Sequence, residues 1–256
     1  MADKRNLLTG SAMNKYNVTA NTKFIGRAQE QARLDEICQK NEAQFIVVYG
    51  RRRVGKTELI EQYFQKRKIL KFEGIEIPSE DQRTSTQRQT YQIHQCLERL
   101  AVYLENSLIA KLTFERWTEF FQLLNDVAAH KNIVLYFEEV QWLANYQAGF
   151  FAELKPFWDD AWRHNPKLTL VLCGSSTSFI VKNIVSDRAL YGRVQEEIHL
   201  RPFQLNEVEE FMHGLGRKEI MTAQLCVGGI PEYLKRLCKK GSVFTLLCQQ
   251  SFLPNA

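Results

Sequence analysis

The sequence predicts an α/β protein, a largely parallel five-stranded sheet flanked by helices with a small helical segment behind it. Three observations carry this: five short apolar runs alternate with helical patterns, the first run leads straight into a glycine-containing basic turn, and strand signals stop after Pro202. The 256 residues allow one such core and one small appendage. With 45% hydrophobic and 25% charged residues, the composition is that of an ordinary folded protein and excludes disorder, collagen and coiled coil for the whole chain.

Along the chain, residues 1–22 read as a polar, flexible segment. A turn at Gly26 precedes a helix over Ala28–Lys40 that places Leu34 and Ile37 on one face. The apolar runs Gln44–Tyr49, Ile69–Phe72, Ile133–Phe137, Leu168–Cys173 and Glu197–Leu200 follow. Most of them are continuous rather than alternating, the mark of strands covered on both faces and so of a parallel sheet between helix layers. Between the strands, Leu97, Leu100, Ala101 and Leu104 keep helical spacing. So do Phe114, Trp117, Phe121 and Leu124, and again Phe150, Phe151, Leu154, Phe157 and Trp158. Aromatic stripes can stack nucleic-acid bases, but at this spacing they read as core. A further helix is expected over Thr177–Val185, headed by Ser175 or Ser176 as cap. Beyond Pro202, Asn206 and Glu209 have capping-box spacing, and short helices are expected over Glu207–Met212, Ala223–Val227, Pro231–Lys239 and Val243–Gln250. The boundaries are therefore a core over 23–202 and a helical lid over 203–256.

The chemistry is concentrated in three strand ends. Gly50-Arg51-Arg52-Arg53-Val54-Gly55-Lys56-Thr57 matches G-x-x-x-x-G-K-[ST] directly after an apolar strand and before a helix, the context that motif requires. Its glycines let backbone N–H groups and the helix N-terminus, through Glu58, point at phosphate oxygens; Lys56 reaches the β- and γ-phosphates and the Thr57 hydroxyl takes Mg2+. The strand Ile133–Phe137 ends in Glu138 and Glu139, read as a carboxylate of the metal shell and a general base for the attacking water. The strand Leu168–Cys173 ends in Gly174-Ser175-Ser176, where a hydroxyl can meet the γ-phosphate or that water, or simply cap a helix. Arg193 follows Gly192 and offers a guanidinium for transferring charge.

Other classes are weakened by what the sequence lacks. No apolar run approaches the ~18 residues that span a bilayer, and the polar start has no apolar stretch of signal-peptide length. A cytoplasmic protein is expected. The six cysteines form no C-x-x-C pair and read as buried thiols rather than zinc ligands. The net charge of +5 suits an anionic partner such as DNA, but four of the cations fall between Arg51 and Lys56, where phosphate binding uses them. Oligomeric state is not encoded in any visible pattern.

The segments FIGRAQEQARLDEI, YGRRRVGKTELI, FEEVQWL, LCGSSTSFI, LYGR, LRPF and GGIPEYL occur in the order found in the prokaryotic AAA-type ATPases called archaeal ATPases, relatives of the STAND signalling ATPases. The chain resembles that family from about Phe24 to its end. The resemblance implies a P-loop NTPase sheet in the order 5-1-4-3-2, ATP rather than GTP as nucleotide, Gly26 and Arg27 beside base and ribose, and Ser175 or Ser176 as γ-phosphate sensor. It also implies a phosphate-facing Arg193, and a lid whose Gly228, Gly229 and Pro231 report nucleotide state. It implies an ATP-binding, Mg2+-dependent ATPase working as a conformational switch, alone or as a DNA- or protein-binding module with little turnover. Glu138 stands where the family usually has Asp, one methylene or ~1.5 Å longer. Family members commonly continue into winged-helix and nuclease-like parts, whose output is expected to be absent here or supplied by another chain.

Overall fold

The computed structural model describes residues 24–78, 80–185, 190, 192–238 and 241–252; the expected flexible segment 1–22 lies outside them. Strands β1 (Gln44–Tyr49), β2 (Lys68–Glu73), β3 (Ile133–Glu138), β4 (Leu168–Gly174) and β5 (Glu196–His199) form one sheet in the order β2-β3-β4-β1-β5, every neighbouring pair parallel. This is the predicted order. Each strand falls within a residue or so of its expected limits.

The continuous apolar runs are explained by a sheet covered on both faces. Along β1, Phe45, Val47 and Tyr49 point into one cluster and Ile46 and Val48 into the other. The first face is covered by α3 (Ser85–Tyr103), α4 (Trp117–Ala128) and α6 (Gly149–Asp160). The expected aromatic stripes meet there as core: Trp117 packs edge-on against Phe150 at 4.8 Å between ring centroids, and Phe121 against Phe150 at 5.4 Å. The second face is covered by α1 (Ala28–Cys38) and α2 (Lys56–Tyr63), with Leu34, Ile37, Leu59 and Ile60 buried on it. Each fully buried aliphatic side chain of these faces contributes roughly 1.5–3 kcal/mol.

After the sheet, α8 (Leu205–Phe211), α9 (Arg217–Val227), α10 (Pro231–Leu237) and α11 (Val243–Phe252) close on a third apolar cluster of their own, around Val208, Met212, Ala223 and Leu234. The expected helices are here, α9 starting six residues earlier than its apolar pattern suggested. Two sequence expectations are corrected. The box opening α8 is Gln204 with Glu207, not Asn206 with Glu209: α8 begins at Leu205, so the extended Gln204 is the cap and Glu207 the third helical residue, whose Oε2 accepts from Gln204 N at 3.0 Å. Of the cysteines, Cys96 and Cys173 are buried, whereas Cys226 and Cys238 are exposed. Among the described residues no cluster of His, Cys, Asp and Glu suits a metal ion by itself, and no helix is long and apolar enough to cross a membrane.

Candidate nucleotide site

At the C-terminal edge of the sheet, the turn Gly50–Gly55 joins β1 to α2. Gly50 has φ 150°, and a Cβ there would lie 2.2 Å from the Leu200 carbonyl oxygen, so the chain leaving β5 can pass this close only to a glycine. The Leu200 N–H donates to Tyr49 O at 2.7 Å and seals that approach. Lys56 opens α2 almost completely buried, its Nζ donating to Gly50 O at 3.0 Å and Arg51 O at 3.1 Å, so the ammonium lies inside the turn. The three arginines of the turn differ in use. Arg52 lies over the Trp142 ring at 5.0 Å and 3.6 Å from Glu76, Arg53 lies over Tyr233 of α10 at 5.6 Å, and Arg51 is exposed.

The turn opens into a cleft of about 840 Å3, within the range of small-ligand sites. Arg52 to Glu58 line its floor, Phe24, Ile25 and Arg27 one wall, Phe203 and Phe211 with Tyr233, Lys235 and Arg236 the other, and Glu139 its end. A polar floor under an aromatic wall therefore lies where the motif predicts a phosphate site. Arg27 is the tie between these walls. It adopts φ 62° and is 4% exposed; Nη2 donates to Val54 O and Nη1 to Arg201 O, both at 2.8 Å, while its guanidinium lies 4.5 Å from the Phe203 ring centroid. Its own N–H donates to Glu207 Oε1 at 2.9 Å. Burial lowers the Arg27 pKa, and Glu207 and Glu30 oppose that shift. Gly26 turns the chain with φ 70° directly beside Glu207.

The two carboxylates at the end of β3 have separate surroundings. Glu138 is 6% exposed. Its Oε1 accepts from the Thr57 hydroxyl and, at 3.0 Å, from the Tyr136 hydroxyl, and its Oε2 lies 2.6 Å from Lys71 Nζ. Burial pushes the Lys71 pKa down, but Glu138 and then Glu61, 2.9 Å away, outweigh it and leave the pKa raised, so this ammonium stays charged. Glu139 lies just past β3 in a left-handed backbone conformation, φ 48°, heading the short helix α5 (Val140–Leu143). Its Oε2 accepts from Ser175 Oγ at 2.6 Å, Ser175 N at 3.1 Å and Gln141 Nε2 at 2.5 Å. Gln141 is buried and donates to Ser175 Oγ as well, at 3.1 Å. Ser176 precedes α7 (Thr177–Ile180), but its side chain accepts no capping hydrogen bond. The turn of β3 is held against β2 by Gly74, whose N–H donates to Glu138 O at 2.9 Å and where a Cβ would fall 2.6 Å from Glu139 O.

Thr57 and Glu138 thus stand together beside Lys56. Hydroxyl and carboxylate oxygens are the donors Mg2+ takes, and Mg2+ is held by one or two protein oxygens with substrate phosphates rather than by a protein cage, so this pair fits the ion. The longer Glu138 side chain does not miss Thr57; its extra methylene is taken up between Thr57, Tyr136 and Lys71.

Arg193 is corrected. Gln195 N donates to Phe45 O at 2.9 Å and Arg193 lines a groove with Glu42 and Ala43, so it lies at the entry of β1, one strand length of about 20 Å from the phosphate turn at its exit. There it forks onto Asp159, Nε to Oδ1 at 2.7 Å and Nη2 to Oδ2 at 2.8 Å. Sequence reading missed Lys71, Tyr136 and Gln141. A lysine in the otherwise apolar run Ile69–Phe72 was the available signal for the first, and Gln141 carried none that a helical pattern would not also explain.

A family model described as the ATPase domain predominantly from Archaea matches residues 24–237. An uncharacterised protein of Methanocaldococcus jannaschii is 26% identical over 219 residues, 84% of this chain and 44% of that protein, so the chain spans less than half of that relative. An uncharacterised ATP-binding protein of the same organism is 44% identical over 46 residues, 18% of this chain and 78% of that protein. Among solved structures, a Walker-type ATPase of Pyrococcus abyssi superposes with a TM-score of 0.66 at 22% identity, covering 90% of this chain and 72% of that one. The Aeropyrum pernix ORC2 protein, solved in ADPNP–ADP complexes, superposes with a TM-score of 0.59 at 11% identity, covering 93% and 71%. At these identities the structures show the shared fold.

Proposed function

We propose, from the premise that the chain belongs to the ATPase-domain family found predominantly in Archaea, that it binds ATP with Mg2+ in the cleft above the Gly50–Thr57 turn and hydrolyses it to switch the helices after Pro202 between two positions. The observation that carries this reading is the convergence of buried Lys56, the Thr57–Glu138 pair and Glu139 on one end of one cleft. Lys56 and the backbone N–H groups of residues 51–57 hold the β- and γ-phosphates. Mg2+ neutralises charge on those oxygens when bound. Glu139 takes the proton of the water whose oxygen bonds to the γ-phosphorus as the bond to the ADP oxygen breaks, and Ser175 aligns that carboxylate and contacts the γ-phosphate. Base and ribose sit between Phe24–Arg27 and the wall formed by Phe203 and Tyr233. Lys235 and Arg236 of α10 line the same cleft, which gives the helical segment a direct stake in whether a γ-phosphate is present.

One observation favours a second reading, a nucleotide-dependent binding module for DNA or a protein effector with little turnover. Glu139 is already engaged by three donors, and a base so held is slow to take a proton from water. Both readings require ATP to bind. Titration with ATP followed by equilibrium dialysis is expected to give saturable, Mg2+-strengthened binding to the wild type and loss of at least ~100-fold in Lys56→Ala, from removal of a charge-assisted phosphate contact of about 3 kcal/mol. Equal affinity of the two proteins contradicts both.

A further inference from the structure

Lys71 is a half-buried charge beside the cleft that the proposed hydrolysis does not use. On the edge strand β2, Leu70 and Phe72 turn into the core under α3 and α4, while Lys71 emerges on the opposite face beneath α2. There it spans two carboxylates, Glu138 at 2.6 Å and Glu61 at 2.9 Å, with its ammonium 5.6 Å from the Tyr136 ring centroid. A carboxylate as buried as Glu138 is costly without a countercharge. A metal shell ordinarily supplies that charge when nucleotide is bound; here the chain supplies it itself.

We propose that Lys71 is a resident countercharge that keeps the Thr57–Glu138 pair from taking up a divalent cation until nucleotide phosphates bring one. The inference rests on the metal reading of Thr57 and Glu138. The hydroxyl of Thr57 donates to Glu138 and keeps its lone pairs for a cation, and Glu138 Oε2 retains acceptor capacity for a metal-bound water. The ligands are therefore arranged in advance, but an ammonium shared with Glu61 already lies 2.6 Å from the Glu138 carboxylate. A bare cation meets that positive charge and must compete with it for Glu138, whereas a cation carried on a triphosphate is held chiefly by phosphate oxygens and loses little. Lys71 is thus a positioning residue: it fixes the Glu138 carboxylate against Thr57 and sets the order in which metal and nucleotide arrive.

The test is a titration of the nucleotide-free full chain with Mn2+ alone, reading free Mn2+ by electron paramagnetic resonance. Lys71→Met is expected to take up a single Mn2+ at least about tenfold more tightly than wild type, because the buried carboxylate then lacks its partner. Lys71→Arg, which keeps the charge, is expected to behave as wild type, and adding Glu138→Gln to Lys71→Met is expected to abolish the gain. Lys71→Gln keeps a donor without the charge and must show the same gain, so the inference stays testable if the Met variant does not fold. Folded Met or Gln variants that bind Mn2+ no more tightly than wild type overturn it, as does tight wild-type binding without nucleotide. Equilibrium dialysis with ATP on the same wild-type preparation separates the two claims. Failure to bind ATP contradicts the nucleotide reading, and normal ATP binding with no Mn2+ gain contradicts the role of Lys71 alone.

Discussion

Arg193 and Asp159 show how a residue's surroundings override its place in a motif. The guanidinium that family order suggested for phosphate is a fork on Asp159 at the other end of β1. Its hydrogen bonds hold the Asp159 carboxyl below the usual carboxylate range. A carboxylate whose folded pKa is depressed contributes stability that is full above its unfolded pKa and is lost as pH falls through the folded one. Arg193→Ala is therefore expected to cost about 0.5–1 kcal/mol in denaturant unfolding at neutral pH, the range of a partly exposed ion pair, and the difference from wild type should shrink as pH falls from about 5 toward 3. ATP affinity should be unchanged; a loss of affinity contradicts the placement. That Lys56, Thr57, Glu138, Glu139 and Ser175 come together was legible because they follow β1, β3 and β4 in short local patterns. Lys71 and Gln141 were not, because their meaning comes from partners on other strands: Glu138 lies across the β2–β3 ladder from Glu73, two residues beyond Lys71, and Ser175 is 34 residues from Gln141.

Among elements, the strands were read nearly to the residue because burial on both faces leaves continuous apolar runs with polar ends. The helices after Pro202 were read less well. Arg217–Val227 starts with charged residues that carry no apolar period, and the Gln204–Glu207 box forms in part because Glu207 is also held by Arg27, 180 residues away. The contact between β2 and the β3–α5 turn gives an element-level test. A methyl group on residue 74 would fall 2.6 Å from Glu139 O and 2.9 Å from Leu143 N, both backbone atoms. Gly74→Ala is expected to cost about 1–3 kcal/mol, the range for forced overpacking, and to lower phosphate release by displacing Glu139. ATP binding should persist, since the Gly50–Thr57 turn is untouched. Loss of binding with normal turnover per bound ATP would show that β2 does not position the turn carrying Glu139.

At the scale of the whole molecule, the cleft exists because two separately packed apolar bodies, the two-faced sheet and the four-helix cluster around Val208 and Leu234, meet across Arg27. That division at about residue 202 was legible as the end of strand signals. The tie was not, since nothing local marks Arg27 as a ligand of Val54 O, Arg201 O and the Phe203 ring. The arrangement joins the Gly50–Gly55 turn to the helical segment through buried polar contacts, the link that the proposed switch requires. The central claim is that this cleft hydrolyses ATP with Glu139 as base. The most direct measurement is phosphate release from ATP with Mg2+, alongside ATP binding, for wild type and Glu139→Gln. The expected result is equal binding with release reduced by about 100-fold or more in the variant, the size of a lost general base. Equal binding with wild-type release no faster than that of Glu139→Gln would contradict it.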